Sequence, residues 1–508
     1  MMGHQDPLQG KLFYVNLNMD KRIRINHPLR KIDQFIDFYF VSEEVKDKYG
    51  PNGNVSVPPP LILKLMLLLV FYNVRSEREL MDTLPERLDW LWFLGYDLDT
   101  EIPNHSVLSK ARKRWGVEIF KGFFERIVWQ CVEAGLVDGS KIFVDSSLVD
   151  ANASNNSVID TNALKFQLNE NYKQLESRLE EREENSPYKK VNPVRKYCSN
   201  GVNTRYISTT DPEAAIVNRG KPKLSYQVHR AVDQTSEIIT ATETTAGDVN
   251  EAHVMLPLIE GHKTNTGIKA DTVTGDSKYG TIENFLTCYD IGINAHIPDL
   301  RKAATKRTEK RLLFTEEKFI YEGQSDTYIC PAGNTMKKKS LHMNRQSMDY
   351  GAPKKVCASC GIREQCTENK TGRTVKRHLR QTELDYMREI SRSNTSKQDI
   401  RTRQHLMERS FAQSKRYGYD RARWRGLWRV KIQEYLTCAI QNIQVLVKYG
   451  YRPKKGLAMV IGKIKERVTM VISQGLNSIK PYTERIQQCT NEIVLNRLMS
   501  FNRMNLCY

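Results

Sequence analysis

Two short β-rich runs that each end in an aspartate constrain the fold of this 508-residue chain more than any other feature. They are residues 141–145, ending at Asp145, and residues 272–276, ending at Asp276. Further segments alternate between strand and helix patterns: strands at 224–232, 237–244 and 294–298, and helices at 252–261 and 281–291. Such alternation predicts an α/β sheet, in which catalytic groups favour the carboxyl ends of strands. We therefore expect both aspartates at strand ends on one edge of a sheet.

The first part of the chain, residues 1–138, predicts an all-α domain. Residues 28–45 carry a largely apolar helical face, and the prolines at 58–60 open a strongly apolar helix. Ser76 precedes acidic residues and marks a helix start, and residues 106–135 predict two more helices. A helical bundle is too generic a fold to indicate a function by itself.

The remainder divides by composition into four segments. Residues 139–300 form the first part of an α/β core, with a polar insert at about 151–223, and residues 382–450 form its helical C-terminal part. A basic, cysteine-containing insertion at 301–381 separates the two. The tail, 451–508, has no clear role. Apolar residues at helical spacing predict amphipathic helices at 164–179 and 457–472.

The net charge of +19 predicts a polyanionic partner, with nucleic acid ahead of an anionic membrane. The most apolar run, residues 61–72, contains Lys64 and is shorter than the roughly 20 residues that span a bilayer. The N-terminus has no secretion signal pattern. We therefore expect no membrane partner and a cytoplasmic location.

Three acids could hold metal ions. Asp145 and Asp276 end the two strands, and Glu408 lies in a helical stretch. Carboxylates on one edge of a sheet can bind two Mg²⁺ or Mn²⁺ ions, which prefer oxygen ligands and support phosphoryl transfer on a phosphodiester. Lys415 follows Glu408 by two helical turns, so it points the same way, either towards a DNA phosphate or simply into solvent.

Four cysteines form a second possible metal site: Cys330, Cys357, Cys360 and Cys366. The spacing of Cys357 and Cys360 suits tetrahedral Zn²⁺. A structural zinc ion, an iron–sulfur cluster and free thiols all stay open as interpretations.

The most basic segment is residues 401–431, with ten lysines or arginines against two acids. Tyrosines and tryptophans are interleaved with the basic residues. Guanidinium groups can bind phosphates and aromatic rings can stack on unpaired bases, although the aromatic residues could equally belong to the core.

These blocks resemble the bacterial insertion-sequence DDE transposases, which have a helical N-terminal DNA-binding transposase domain, here residues 1–138, and an RNase H-like catalytic core. The resemblance runs from about residue 20 to about residue 450. Its N-terminal blocks are residues 59–72, 76–80 and 90–95. Its core blocks are residues 143–147, 208–214, 225–233 and 275–280, Glu408 with Lys415, and residues 421–426.

The resemblance implies a function and a set of site residues. An insertion-sequence transposase binds the element ends and carries out metal-dependent DNA strand cleavage and strand transfer. Asp145, Asp276 and Glu408 would then be the catalytic metal ligands, assisted by Lys415. The residues expected to contact DNA are Tyr279, Lys415, Arg416, Arg421, Arg423 and Arg425. The implied partners are transposon-end and target DNA, bound by a homodimer in the bacterial nucleoid.

This sequence departs from the family pattern ahead of Glu408. The family often has a tyrosine seven residues and an arginine four residues before the glutamate, where this chain has Arg401 and Gln404. Two alternative functions share the same charge and fold: a related metal-dependent nuclease that cuts without joining, and an inactive transposase-derived DNA-binding protein.

Overall fold

The computed structural model describes residues 18–50, 56–160, 203, 206–299 and 312–449. Contacts divide the chain into a large unit, Met1–Val132 with Leu136–Gly450, and a second unit, Glu133–Gly135 with Tyr451–Tyr508. The second unit lies almost entirely outside the described residues, as do the helices predicted at 164–179 and 457–472. Across the described ranges, no helix is long and apolar enough to cross a membrane.

The N-terminal region is helical up to Glu133. Its helices are α1 (Met19–Arg22), α2 (Pro28–Phe35), α3 (Phe40–Val45), α4 (Pro59–Phe71), α5 (Glu77–Thr83), α6 (Leu88–Leu94), α7 (Ser106–Trp115) and α8 (Val117–Glu133). α4 begins at the predicted prolines and buries nine of its thirteen residues, because it lies at the centre of the bundle. The Ser76 side chain caps α5 by accepting a hydrogen bond from Glu79 N, which confirms the predicted helix start.

The segment after α8 builds a six-stranded sheet. Its chain segments are β1 (Lys141–Asp150), β4 (Ala215–Arg219), β5 (Lys221–Asp233), β6 (Ile239–Ala246), β7 (Thr272–Thr274) and β8 (Asn294–His296), with β2 (Val158–Asp160) and β3 (Tyr206–Ser208) paired separately. The main order is β6-β5-β1-β7-β8, and β4 pairs with the first residues of β5. β5 is antiparallel to β1 and β6, whereas β1, β7 and β8 are parallel.

Two elements of this sheet differ from the sequence prediction. Asp145 lies in the middle of β1 and not at its end, because β1 continues to Asp150 by pairing with the long strand β5. The polar insert predicted at about 151–223 contains β4, which is only five residues long. The shortness of β4 and the polar residues of β1 beyond Asp145 leave too little periodic pattern for either feature to be predicted.

The insertion is a separate five-stranded antiparallel sheet. Its elements are β9 (Ile320–Glu322), β10 (Thr327–Ile329), β11 (Thr335–His342), β12 (Ser347–Gly351), β13 (Thr374–His378) and the short helices α11 (Lys354–Ala358) and α12 (Arg363–Cys366). The strand order is β13-β12-β11-β10-β9. Five buried residues form its core: Phe319, Tyr328, Met336, Tyr350 and Val375. This core is small, so the module has little apolar burial to stabilise it.

Helices that precede and follow the insertion in the sequence pack against the central sheet. They are α9 (Met255–Thr266), α10 (Ile282–Ile291), α13 (Gln381–Arg392), α14 (Asn394–Arg416) and α15 (Leu427–Tyr449). α9 and α15 both contact β6, while α14 contacts β1, β7 and β8. Ile142 and Val144 of β1 share an apolar cluster with α9, whereas Asp145 of the same strand meets α14. The alternation of β1 therefore places Asp145 beneath α14.

A buried ion pair fixes α15 to the sheet. The Arg230 guanidinium on β5 donates to both carboxylate oxygens of Glu434 on α15, at 2.6 and 2.8 Å. Thr242 on β6 donates to the same carboxylate at 2.8 Å. Both members of the pair are almost completely excluded from solvent. Each buried charge is therefore neutralised by a hydrogen-bonded partner of opposite sign, without which its burial would be costly.

The segment that follows α14 is fastened to the end of β1. Asp150 N donates to Asp420 O at 3.0 Å, and Ala422 N donates to Asp150 O at 2.8 Å. These two bonds form a parallel bridge between Asp150 and Arg421. The basic segment around Arg421 is thereby held on the same strand that carries Asp145.

Candidate active site

Asp145 and Asp276 lie side by side because β1 and β7 are parallel neighbours. Phe143 pairs with Thr274 in the register, so each aspartate comes two residues beyond a paired position. Asp276 follows β7 and caps a short 3₁₀ turn, accepting a hydrogen bond from Lys278 N at 2.9 Å. The two predicted aspartates are therefore brought together.

Glu251 is the third acid of this cluster, and it is not among the site residues predicted from the sequence. One carboxylate oxygen from each of Asp145, Glu251 and Asp276 lies within 4.8 Å of the others. Glu251 begins a 3₁₀ turn that Asn250 caps, shortly after β6 ends. A topological signal existed: two antiparallel pairings in succession make β6 parallel to β1, so its carboxyl end returns to the edge where β1 and β7 end.

Polar contacts hold Glu251 in place. Lys278 Nζ makes an ion pair with Glu251 Oε1 at 2.5 Å, and Gln227 Nε2 donates to the same oxygen at 2.7 Å. Gln227 Nε2 also donates to Ser146 Oγ at 2.7 Å. Burial opposes ionisation of Glu251, but the contacts from Lys278, Ser146 and Gln227 together outweigh it, and the pKa of Glu251 lies below its ordinary value. Glu251 is therefore a carboxylate at neutral pH.

Asp145 has a different electrostatic environment. Burial raises the pKa of Asp145 above its ordinary value, and the nearby Asp276 adds to the rise, although Arg403 opposes it. Arg403 is a largely buried residue of α14, and its Nη1 lies 2.7 Å from Asp145 Oδ2. The guanidinium supplies positive charge where two aspartates face each other.

Glu408 lies on the same helix as Arg403 but outside the acid cluster. Glu408 is exposed, and Gln404 Nε2 donates to its Oε1 at 3.3 Å. Five residues along an α-helix rotate a side chain by roughly 140°. Glu408 therefore points in a different direction from Arg403, and within the described residues the three-acid group does not include it. Lys415 is also exposed on this helix.

The residues expected to contact DNA fall into two groups. Lys415, Arg416, Arg421 and Arg425 are exposed. Tyr279 is completely buried, and burial raises its pKa well above the ordinary value, with Glu251, Asp145 and Asp276 adding to the rise. This position does not allow direct contact between the Tyr279 ring and DNA.

Arg423 and the aromatic residues of the basic segment have structural contacts. Arg423 Nη2 donates to Asn73 Oδ1 at 2.6 Å and to Tyr417 O at 3.1 Å, which ties this segment to the N-terminal helices. Trp424 lies under the Arg112 guanidinium, 4.0 Å from the ring centroid, and donates to Glu77 at 3.2 Å. Tyr417 and Tyr419 are buried, so the core accounts for these two rings.

The three-acid cluster fits a divalent metal ion. Its donors are carboxylate oxygens, which Mg²⁺ and Mn²⁺ prefer. Burial is the main cause of the raised pKa of Asp145, and the charge of Asp276 adds to it, so a cation between the carboxylates would offset both effects. Asp145, Asp276 and Glu251 are the residues in position to hold such an ion.

Comparisons with known proteins give two family matches. Residues 17–114 match a family described as "Transposase domain (DUF772)", and residues 329–447 match a family described as "Transposase DDE domain". The second match contains Glu408 and Lys415 but neither aspartate. A comparison with curated protein sequences finds no significant match.

One solved structure also aligns with the chain. It is the cryo-EM structure of a piggyBac transposase synaptic complex with hairpin DNA, with 10% sequence identity and a TM-score of 0.34. The alignment covers 91% of this chain and 84% of that chain.

Proposed function

Because the chain belongs to the DDE transposases of the insertion-sequence type, we propose that it binds the ends of its own element and catalyses metal-dependent DNA strand cleavage and strand transfer. The observation that carries this proposal is the convergence of three carboxylates at one edge of the central sheet. Two of them are the aspartates that the family resemblance assigns to catalysis.

We assign the catalytic core to the RNase H-like fold. The supporting observation is the strand order β6-β5-β1-β7-β8, in which a three-stranded antiparallel meander is extended by two strands parallel to β1. In this assignment the first aspartate lies on the central strand and the second follows the neighbouring parallel strand. The five-stranded sheet with the cysteines is an insertion between β8 and α13.

In the proposed mechanism, Asp145 and Asp276 would hold the metal ions. Mg²⁺ or Mn²⁺, when bound, would supply activation of a water or 3′-hydroxyl nucleophile and stabilisation of the leaving oxygen. Glu251 would be a further ligand in the DNA-free chain, and Lys278 and Gln227 hold its carboxylate in position. Arg403 supplies a positive charge beside the Asp145 carboxylate.

Glu408 and Lys415 act when DNA is present. Glu408 is the acid that the family resemblance assigns to the site within the matched DDE domain, and its exposed position on α14 leaves it accessible to a bound strand. We propose that it would supply a further metal ligand in the DNA complex, while Lys415 would contact a phosphate beside the cleaved bond. Arg416, Arg421 and Arg425 extend this basic surface along the DNA.

A homodimer is the proposed active form, because cleavage and joining at two element ends require two sites. The proposed location is the bacterial cytoplasm, at the nucleoid where the DNA substrate lies. Size measurement of the chain with and without paired end oligonucleotides tests the dimer. A complex with one chain on two ends would contradict it.

The function is tested with labelled oligonucleotides that carry the element's own ends, in Mn²⁺ or Mg²⁺. We expect the wild-type chain to cleave the ends and join them to target DNA. Asp145→Asn and Asp276→Asn should each reduce both steps at least 10³-fold while end binding persists, since the metal ligands act on the chemistry. Glu389→Gln, an exposed acid of α13, is the matched control.

The possible results separate the three functions. Cleavage without joining would favour the metal-dependent nuclease. End binding without cleavage by the wild-type chain would favour the inactive DNA-binding protein. Full activity in either aspartate variant would remove that residue from the site.

A further inference from the structure

Four cysteines of the insertion surround one small cavity. Cys330 follows β10, Cys357 lies on α11, Cys360 follows that helix, and Cys366 ends α12. All four line the same cavity, together with apolar residues that include Phe319 and Met336. Residues separated by up to 36 positions in the sequence therefore present their thiols to a common space, and all four thiols are free.

The backbone around the cavity is shaped to leave room for these thiols. Cys330 starts a tight turn in which Gly333 N donates to Cys330 O at 2.8 Å and Cys330 N donates to Asn334 O at 3.0 Å. Gly372 has a φ of +92°, and a Cβ at this position would lie 2.8 Å from Cys357 Sγ. Only glycine satisfies both the conformation and the close approach.

The four sulfur atoms surround one cavity but lie farther apart than the ligands of a bound metal ion would. No three of them lie within 4.8 Å of one another. All four side chains nevertheless line one small cavity. A cation at its centre would draw the four thiolates inward, because metal binding couples to the folding of small modules.

The apolar core of the module is small. Its apolar core has five buried residues, and two of the partly buried groups packed against that core are Cys330 and Cys366. Small domains with so little buried apolar surface usually need a metal or a disulfide. A metal ion bound by Cys330 and by the cysteines of the α11–α12 segment would cross-link the two halves of the insertion.

We propose that Cys330, Cys357, Cys360 and Cys366 bind one structural Zn²⁺ ion as four thiolates. Tetrahedral coordination by sulfur, including a pair spaced as Cys-x-x-Cys, is the usual composition of closed zinc sites. This zinc ion lies in the insertion and is independent of the divalent ions at the three acids. Its role is to stabilise the insertion, so its loss would unfold that module without removing the catalytic ligands.

The first test measures bound metal in the full-length chain, purified with reduced thiols. We expect one zinc ion per chain by elemental analysis. After replacement of zinc by Co²⁺, we expect the strong near-ultraviolet sulfur-to-cobalt band and the visible bands of tetrahedral thiolate coordination. Iron and acid-labile sulfide in place of zinc would overturn the proposal in favour of a cluster, and a chain without metal would favour free thiols.

Variants assign the ligands. Cys357→Ser and Cys366→Ser should each lower the zinc content or weaken zinc affinity at least tenfold, whereas Cys288→Ala, a buried thiol outside the insertion, should leave both unchanged. Cys360→His should keep zinc, because imidazole also binds it. A double Cys357→Ser, Cys366→Ser variant that retained stoichiometric zinc would overturn the assignment.

A measurement on the unaltered chain covers the case in which serine variants fail to fold. Chelation of zinc should increase protease cleavage within residues 312–380, and added Zn²⁺ should reverse it. Unchanged cleavage after complete zinc removal would contradict a structural role. Activity of the transposase is not needed for either readout, so the zinc site and the proposed catalytic function fail separately.

Discussion

At the scale of single residues, the acid cluster combines carboxylates with different ionisation properties. Glu251 has a lowered pKa because Lys278 and Gln227 compensate for its burial, while Asp145 has a raised pKa. The cluster therefore keeps at least one fully ionised ligand without a metal. The Arg403 guanidinium is paired with one oxygen of the Asp145 carboxylate, and a cation held by Asp145 would compete with that ion pair.

The two glutamates are distinguished by Mn²⁺ titration of the full-length chain, with and without end DNA. Glu251→Gln should weaken Mn²⁺ binding of the DNA-free chain about 10–100-fold, because a ligand is lost. Glu408→Gln should leave DNA-free binding unchanged and weaken it only in the DNA complex. Glu389→Gln is the control. Equal weakening by Glu408→Gln without DNA would place Glu408, and not Glu251, at the metal in the free chain.

A second residue-scale prediction concerns acid stability. His262 packs α9 against the sheet, and its Nδ1 lies 2.8 Å from Thr240 Oγ1. Burial lowers the pKa of His262 from 6.5 to about 4. The unfolded chain therefore binds a proton below pH 6.5 that the folded chain does not, so the free energy of unfolding falls as the pH drops from 6.5 towards 4.

The measurement is denaturant unfolding of the wild-type chain and His262→Gln between pH 7 and pH 4. His262 contributes a decrease of at most about 3 kcal/mol across this range, since one pKa unit corresponds to about 1.4 kcal/mol. His262→Gln should be less stable at pH 7 but lose less stability on acidification. His405→Gln, an exposed histidine of α14, should follow the wild-type curve. Parallel curves for His262→Gln would contradict this origin of acid sensitivity.

At the scale of elements, α15 depends on a charge pair that is excluded from water. Glu434→Gln leaves the Arg230 guanidinium buried without a counter-ion, which costs about 3–5 kcal/mol. Chemical denaturation should show this loss. Glu237→Gln, which removes an exposed partner of Arg409, should cost less than about 1 kcal/mol. Similar small losses in both variants would mean that water reaches the Arg230 pair.

Helices and strands with a local sequence pattern could be predicted, whereas those that depend on pairing with a distant strand could not. The runs that lead to Asp145 and Asp276 contain buried apolar residues, so their pattern identifies them. β4 is only five residues long and the second half of β1 contains three polar residues. Both segments pair with β5, which no local pattern reveals. The Ser76 cap is purely local and was therefore predictable.

Among the site residues, too, those marked by a local pattern could be predicted and those placed by the sheet topology could not. Asp145 and Asp276 could be predicted because each is close to a strand, although Asp145 lies within its strand. Glu251 comes five residues after β6 and reaches the site through the topology of the sheet, not through its neighbours in the sequence. Tyr279 was expected at the DNA surface, but its ring is buried beneath the acids, because a tyrosine suits either environment.

At the scale of the whole molecule, the charge of +19 should dominate DNA binding. End-DNA affinity should fall steeply with salt, and each of Arg416→Ala, Arg421→Ala and Arg425→Ala should reduce the slope of log affinity against log salt by about one. Lys21→Ala, an exposed cation of α1, is the control. An unchanged slope in the triple variant would place the phosphate contacts elsewhere.

The bridge between Asp150 and Arg421 fixes the distance between the basic segment and Asp145 along β1. Five residues of strand separate Asp145 from Asp150, a distance of about 17 Å at the usual rise per residue. Arg421 is therefore held at a fixed distance from the acid cluster. A change in that distance would require the hydrogen bonds of Asp150 with Asp420 and Ala422 to break.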